Sequence, residues 1–175
     1  MKVNRFPVLA LALVLGAAAV ARAQDMPAGV QGDLLRWYDD AANKLIQLAE
    51  AIPAEKYGWR PADGVRSVGE VVSHVAGGNY FIMGMTGAQP MAAPQNMDGM
   101  TAKADLIRAL RQSIEFTRAS LRGMSAADLD APATIFGRQS TKRDACVLAV
   151  VHAHEHLGQL IAYARTNGVT PPWSM

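Results

Sequence analysis

Apolar residues recur at intervals of three and four along four separate stretches of the chain. In the first, over residues 33–52, Leu34, Trp37, Ala41, Leu45, Leu48 and Ile52 share one face, while Asp39, Asp40 and Lys44 are left for solvent. That spacing predicts an amphipathic helix, and Pro53 ends it. The turn-rich linker over 54–64 carries two rings, Tyr57 and Trp59, expected to cap one end of a bundle. Ser67-Val68-Gly69-Glu70 is a capping box and opens a second helix. Its buried stripe is Val68, Val71, Val72, Val75 and Ile82, with His74 beside it. A third helix is predicted over 103–121 on Leu106, Leu110, Ile114, Thr117 and Leu121, with Arg108, Arg111, Glu115 and Arg118 mostly outward. The fourth starts near Thr141 and stops at Asn167-Gly168, a left-handed C-cap signal followed by Pro171-Pro172.

The connections are polar or irregular. Residues 84–100 carry Gly84, Gly87, Pro90 and Pro94 with no period, which predicts a long loop. Met83, Met85, Met91, Met97 and Met100 cluster there, as a flexible apolar cover over the bundle end or as thioether ligands for Cu(I). Residues 123–137, with Pro132 and Gly137, form the last connection. With no convincing strand pattern and no internal repeat, the prediction is all-α, a four-helix bundle. The fourth helix is apolar most of the way round, since Val147, Val150, His154 and Ile161 lie opposite His152. A homodimer contact through that helix is the expectation.

The amino terminus has a different character. Lys2 and Arg5 precede an apolar run over 8–20, and Ala21-Arg22-Ala23 is an A-x-A cleavage signal, so residues 1–23 are expected to be a signal peptide. The run is shorter than the ~20 residues a membrane span needs. The expected mature protein, residues 24–175, is then one periplasmic or secreted domain with no membrane attachment. Losing Lys2, Arg5 and Arg22 takes Lys plus Arg from 17 to 14 against 15 acids, and the net charge from +2 to −1. The basic character belongs to the leader, which leaves no basic face for nucleic acid. Cys146 is the single cysteine, so no internal disulfide exists, and its apolar setting predicts a buried small hydrophobe.

Candidate chemistry concentrates in His152-Ala153-His154-Glu155-His156. On a helix His152 and His156 lie about 40° apart, one turn above the other, whereas His154 points to the opposite side. Two imidazoles at i and i+4 can ligate one ion from a single face. The remaining histidine, His74, is the available third ligand; taken alone, a histidine on the edge of an apolar face is usually a satisfied core residue. Burying unpaired imidazole nitrogens costs about 1–3 kcal/mol each, a penalty that a shared divalent ion removes for all three. Three protein ligands leave a position open for water or substrate. Zinc, nickel, copper and iron all accept imidazole. Glu155, Gln159 and Tyr163 are placed to orient an imidazole or to hold a metal-bound water, and each could equally make an interhelical hydrogen bond.

Trp59-Arg60-Pro61-Ala62, followed by the segment from Ser67 to Ala76 with His74 in it, resembles the DinB/YfiT-like family of proteins proposed to be metal-dependent. The segment from His152 to Gln159 resembles that family's H-x-x-x-H-R-G-Q signature, with Leu157 in place of the usual Arg. The likeness runs over residues 33–173. It implies a four-helix bundle of up-down-down-up connectivity, often dimeric, with a divalent metal, commonly zinc or nickel, on His74, His152 and His156. Some members are thiol-dependent transferases or isomerases, and many have no assigned reaction. Three functions follow as expectations. The first is a metal-dependent hydrolase or transferase with an unknown small-molecule substrate. The second is a periplasmic copper-binding protein that uses the Met-rich loop. The third is a non-catalytic dimeric bundle acting through a protein partner.

Overall fold

The computed structural model describes residues 26–91 and 97–174; the expected signal peptide, 1–23, lies outside them. Four long helices carry the chain: α1 (Val30–Ala51), α2 (Val68–Gly84), α3 (Lys103–Arg122) and α5 (Lys142–Thr166). A short helix, α4 (Ala126–Asp130), and an antiparallel hairpin of β1 (Pro132–Ile135) and β2 (Arg138–Thr141) lie between α3 and α5.

Local chemistry sets the helix ends. Ser67 and Glu70 close the predicted capping box reciprocally, and Ser125 with Asp128 does the same for α4. Gly168 takes φ 76° just beyond α5, a conformation that glycine adopts without steric cost.

Side chains that cross between helices fix their directions. Lys103, at the start of α3, donates to the carbonyls of Glu50 and Ile52 at the end of α1, and Gln31, early in α1, donates to the carbonyl of Leu121. Those two helices are therefore antiparallel. α2 runs parallel to α3, because Asn79 bonds Ser113 and Tyr80 stacks on Phe116 one residue and three residues further along their helices. α5 runs against α2, since Arg66 meets Tyr163 and His74 meets His152. The result is an up-down-down-up order in which α2 and α5 lie side by side. The core between the helices is built from Leu35, Tyr38, Leu45, Val72, Leu110, Ile114 and Leu160, all fully buried or nearly so.

The structure corrects the sequence reading at several points. The 123–137 connection holds α4 and the first strand of a hairpin that β2 completes just after it; the strands have only four residues each and bury only Ile135, too little for a period-two signal. Trp37 is 58% exposed and Tyr38 takes the core position beside it. Arg118 is largely covered rather than outward, bonded to Asp39 of α1. Leu157, where the family resemblance carries Arg, is a buried core residue. Cys146 is fully buried, as expected, and burial pushes its thiol up to about 11. On α5 Val147 and Val151 are exposed and His154 is half-buried, its Nδ1 near the carbonyl of Val150. Among the described residues, no helix is long and apolar enough to cross a membrane.

Candidate metal centre

The seam between α2 and α5 brings the three predicted histidines together. α2 supplies His74, and α5 supplies His152 and His156 from successive turns. One ligating nitrogen from each of the three lies within 4.8 Å of the others. Ring centroids are separated by 5.1 Å for His74–His152, 4.7 Å for His74–His156 and 4.6 Å for His152–His156. Nε2 of His152 stands 3.3 Å from Nε2 of His74. Two nitrogens bound at about 2.0–2.1 Å to one tetrahedral ion would be about 3.3 Å apart, so this separation suits a shared cation.

A hydrogen-bonded chain fixes the third imidazole. The hydroxyl of Tyr163 donates to the backbone carbonyl of Arg66 (3.1 Å), a group that can only accept. The Tyr163 oxygen therefore accepts from Nε2 of Gln159 (2.9 Å), which turns the Gln159 carbonyl oxygen toward Nδ1 of His156 (2.8 Å). Nδ1 of His156 must then carry the proton, and its Nε2 keeps a lone pair for the cluster. Of the three flanking residues singled out in the sequence, Gln159 and Tyr163 belong to this chain, while Glu155 is exposed and outside the cluster. Trp59 packs edge-on against Tyr163 at 5.3 Å, holding the far end of the chain in place.

Sequence reasoning missed Gly78. It lies one turn after His74 on α2, and a Cβ built there would come within 2.3 Å of Cε1 of His152. Only a residue without a side chain lets the imidazole lie against the α2 backbone. The available signal was a glycine in a helix interior, where it costs about 1 kcal/mol relative to alanine, at i+4 from a candidate ligand.

Comparisons with known proteins place the chain in a family and match its fold. The family model described as the DinB superfamily matches residues 38–160. The chain belongs to the DinB superfamily. It is 29% identical over 131 residues to the uncharacterized protein YjoA of Bacillus subtilis (strain 168), a match covering 73% of this chain and 84% of YjoA. The solved structure of YjoA has a TM-score of 0.65 at 27% identity, covering 79% of this chain and 93% of that one. A DinB-like protein from Bacillus cereus ATCC 10987 has a TM-score of 0.73 at 19% identity, covering 82% and 95%. Bacillus subtilis YfiT, described as a probable metal-dependent hydrolase with an unusual four-helix bundle topology, has a TM-score of 0.63 at 17% identity, covering 80% and 89%.

In this DinB-superfamily chain the electrostatics favour neutral imidazole. Burial, then the neighbouring His156 and His74, then Arg66, push His152 from 6.5 down to about 4. Its Nδ1 is buried without a hydrogen-bond partner. Neutral imidazole is the form that ligates a metal, and a donor set of three imidazoles fits a divalent ion. A cavity of about 270 Å³ opens beside His74, lined also by Arg66, Glu70, Ser73 and Met100.

Proposed function

We propose that this protein binds one divalent ion, zinc or nickel, through His74, His152 and His156 and works as a metal-dependent hydrolase on a small molecule. The observation that carries the reading is the convergence of three ligating nitrogens within 4.8 Å, with His156 oriented by Gln159 and Tyr163. The description of YfiT as a probable metal-dependent hydrolase supports it from a shared fold. An ion held there supplies Lewis acidity toward water or a substrate oxygen. The chain supplies the rest: Gln159 and Tyr163 keep the His156 lone pair aimed inward, Gly78 lets His152 approach, and the cavity admits substrate beside His74. The leader pattern of residues 1–23 supports an exported location.

Elemental analysis of protein purified without an affinity tag tests the centre. Roughly one zinc or nickel ion per chain is expected, and His152→Ala or His156→Ala should each weaken metal affinity by about 100-fold or more while circular dichroism stays helical. Folded protein that carries no metal and takes none up from solution would end the proposal.

A further inference from the structure

We propose that the cavity beside the histidine cluster recognises a carboxylate on a small organic substrate through the guanidinium of Arg66. The inference rests on the metal reading above and adds the class of molecule that the centre receives.

The argument starts from the cavity wall. Its polar side chains are Arg66, Glu70, Ser73 and His74, with the Met100 thioether beside them. Glu70 is already engaged: Arg60 donates to its Oε1 at 3.0 Å and the backbone N–H of Ser67 to its Oε2 at 2.7 Å. These bonds also hold its carboxyl below the usual carboxylate range. Ser73 spends its hydroxyl proton on the carbonyl of Met97 at 2.7 Å. Arg66 forms no ion pair among the described residues, so its charge is the one on this wall left for a ligand.

The backbone of Arg66 is also tied to the centre. Its backbone carbonyl receives the Tyr163 hydroxyl, at the end of the chain that orients His156. Its positive charge is felt at His152, where it helps keep that ring neutral. A guanidinium so placed can pair with a carboxylate in fork geometry while the rest of the molecule reaches the histidines.

Charge balance points the same way. The ligand cluster is made of three imidazoles, which carry no charge when they ligate, and includes no carboxylate among the described residues, so the charge of a divalent ion stays uncompensated. With Glu70 offset by Arg60, the ion and Arg66 leave a strongly positive cavity. At about 270 Å³ it is just below the ~300–1,000 Å³ of drug-sized sites, which suits a small acid rather than a peptide.

The test uses full-length protein loaded with Co²⁺, whose visible absorption reports the coordination of the ion. At low ionic strength it is titrated with acetate and with malonate, succinate and glutarate, which separate two carboxylates by increasing distances. At least one diacid is expected to saturate the spectral change at about a tenth of the acetate concentration. Arg66→Gln should abolish that advantage, Arg66→Lys should restore part of it, and both should take up Co²⁺ as the native protein does. Diacids that bind no better than acetate, or an advantage that survives in Arg66→Gln, would overturn the inference while leaving the metal centre standing. Native protein that takes up no Co²⁺ would overturn both.

Discussion

The seam between α1 and α3 and the seam between α2 and α5 solve the same packing problem in opposite ways. Between α1 and α3 the charged side chains all find protein partners, and the buried Tyr38 hydroxyl is the exception without a hydrogen bond. Arg118 bonds Asp39 (2.6 Å) and Asn43 (2.8 Å); Arg111 pairs with Glu50; Lys103 and Gln31 close on backbone carbonyls at the two ends. Between α2 and α5 three imidazoles turn nitrogens toward one another, and Nδ1 of His152 is buried without a hydrogen-bond partner. Such groups cost free energy where they stand unless something joins them. The first seam is closed mainly by charged contacts within the protein. The second accepts a local penalty, and a site that does so needs a rigid frame elsewhere.

Acid should separate the two seams most sharply. His152 titrates near 6.5 in an unfolded chain and at about 4 in the folded one, so the unfolded state binds more protons between those values. Stability from this group is therefore complete above about pH 6.5 and is lost as pH falls toward 4. Metal should leave over the same window, because protons compete for the ligating nitrogens. Chemical denaturation and metal retention followed from pH 7.5 to 4 check both, and a metal-free protein equally stable at both ends would contradict the shift.

Gly78→Ala should have the next largest effect. A methyl group there collides with the His152 ring, and metal affinity should fall by about 10- to 100-fold although alanine is the better helix former by about 1 kcal/mol. Competition against a chromophoric chelator measures the loss. Tyr163→Phe removes the hydroxyl that sets the direction of the Gln159 chain, and about a tenfold loss is expected with little change in melting temperature. On the opposite seam Arg118→Ala should destabilise the fold by about 1–2 kcal/mol in urea and leave metal affinity unchanged. If metal affinity fell with it, the two seams would not be independent.

The histidine centre was legible because helical spacing alone stacks His152 on His156 and because His74 was the sole remaining imidazole. Gln159 and Tyr163 were visible for the same reason, at i+3 and i+7 from His156, and the capping box placed α2 to within a residue. What spacing could not show was which flank of a helix meets a neighbour. Trp37 and Tyr38 sit at adjacent positions, and only the packing of the bundle decides that Tyr38, beside Thr117 of α3, is covered while Trp37 is left exposed. Arg118 looked like a surface charge because Asp39 lies far away in sequence. Glu155 adjoins His156 in sequence yet is turned about 100° from it around the helix.

Cys146 has a practical use that follows from its burial on the same helix as two of the histidines. Its sulfur lies 3.6 Å from that of Met124, with no surface exposed, and it ionises only at high pH. A disulfide reagent added to the intact molecule therefore finds nothing to react with until the helices separate. Because the chain has one thiol, each labelling event counts one opening, and the rate with and without bound ion reads out how firmly that ion ties α5 to α2.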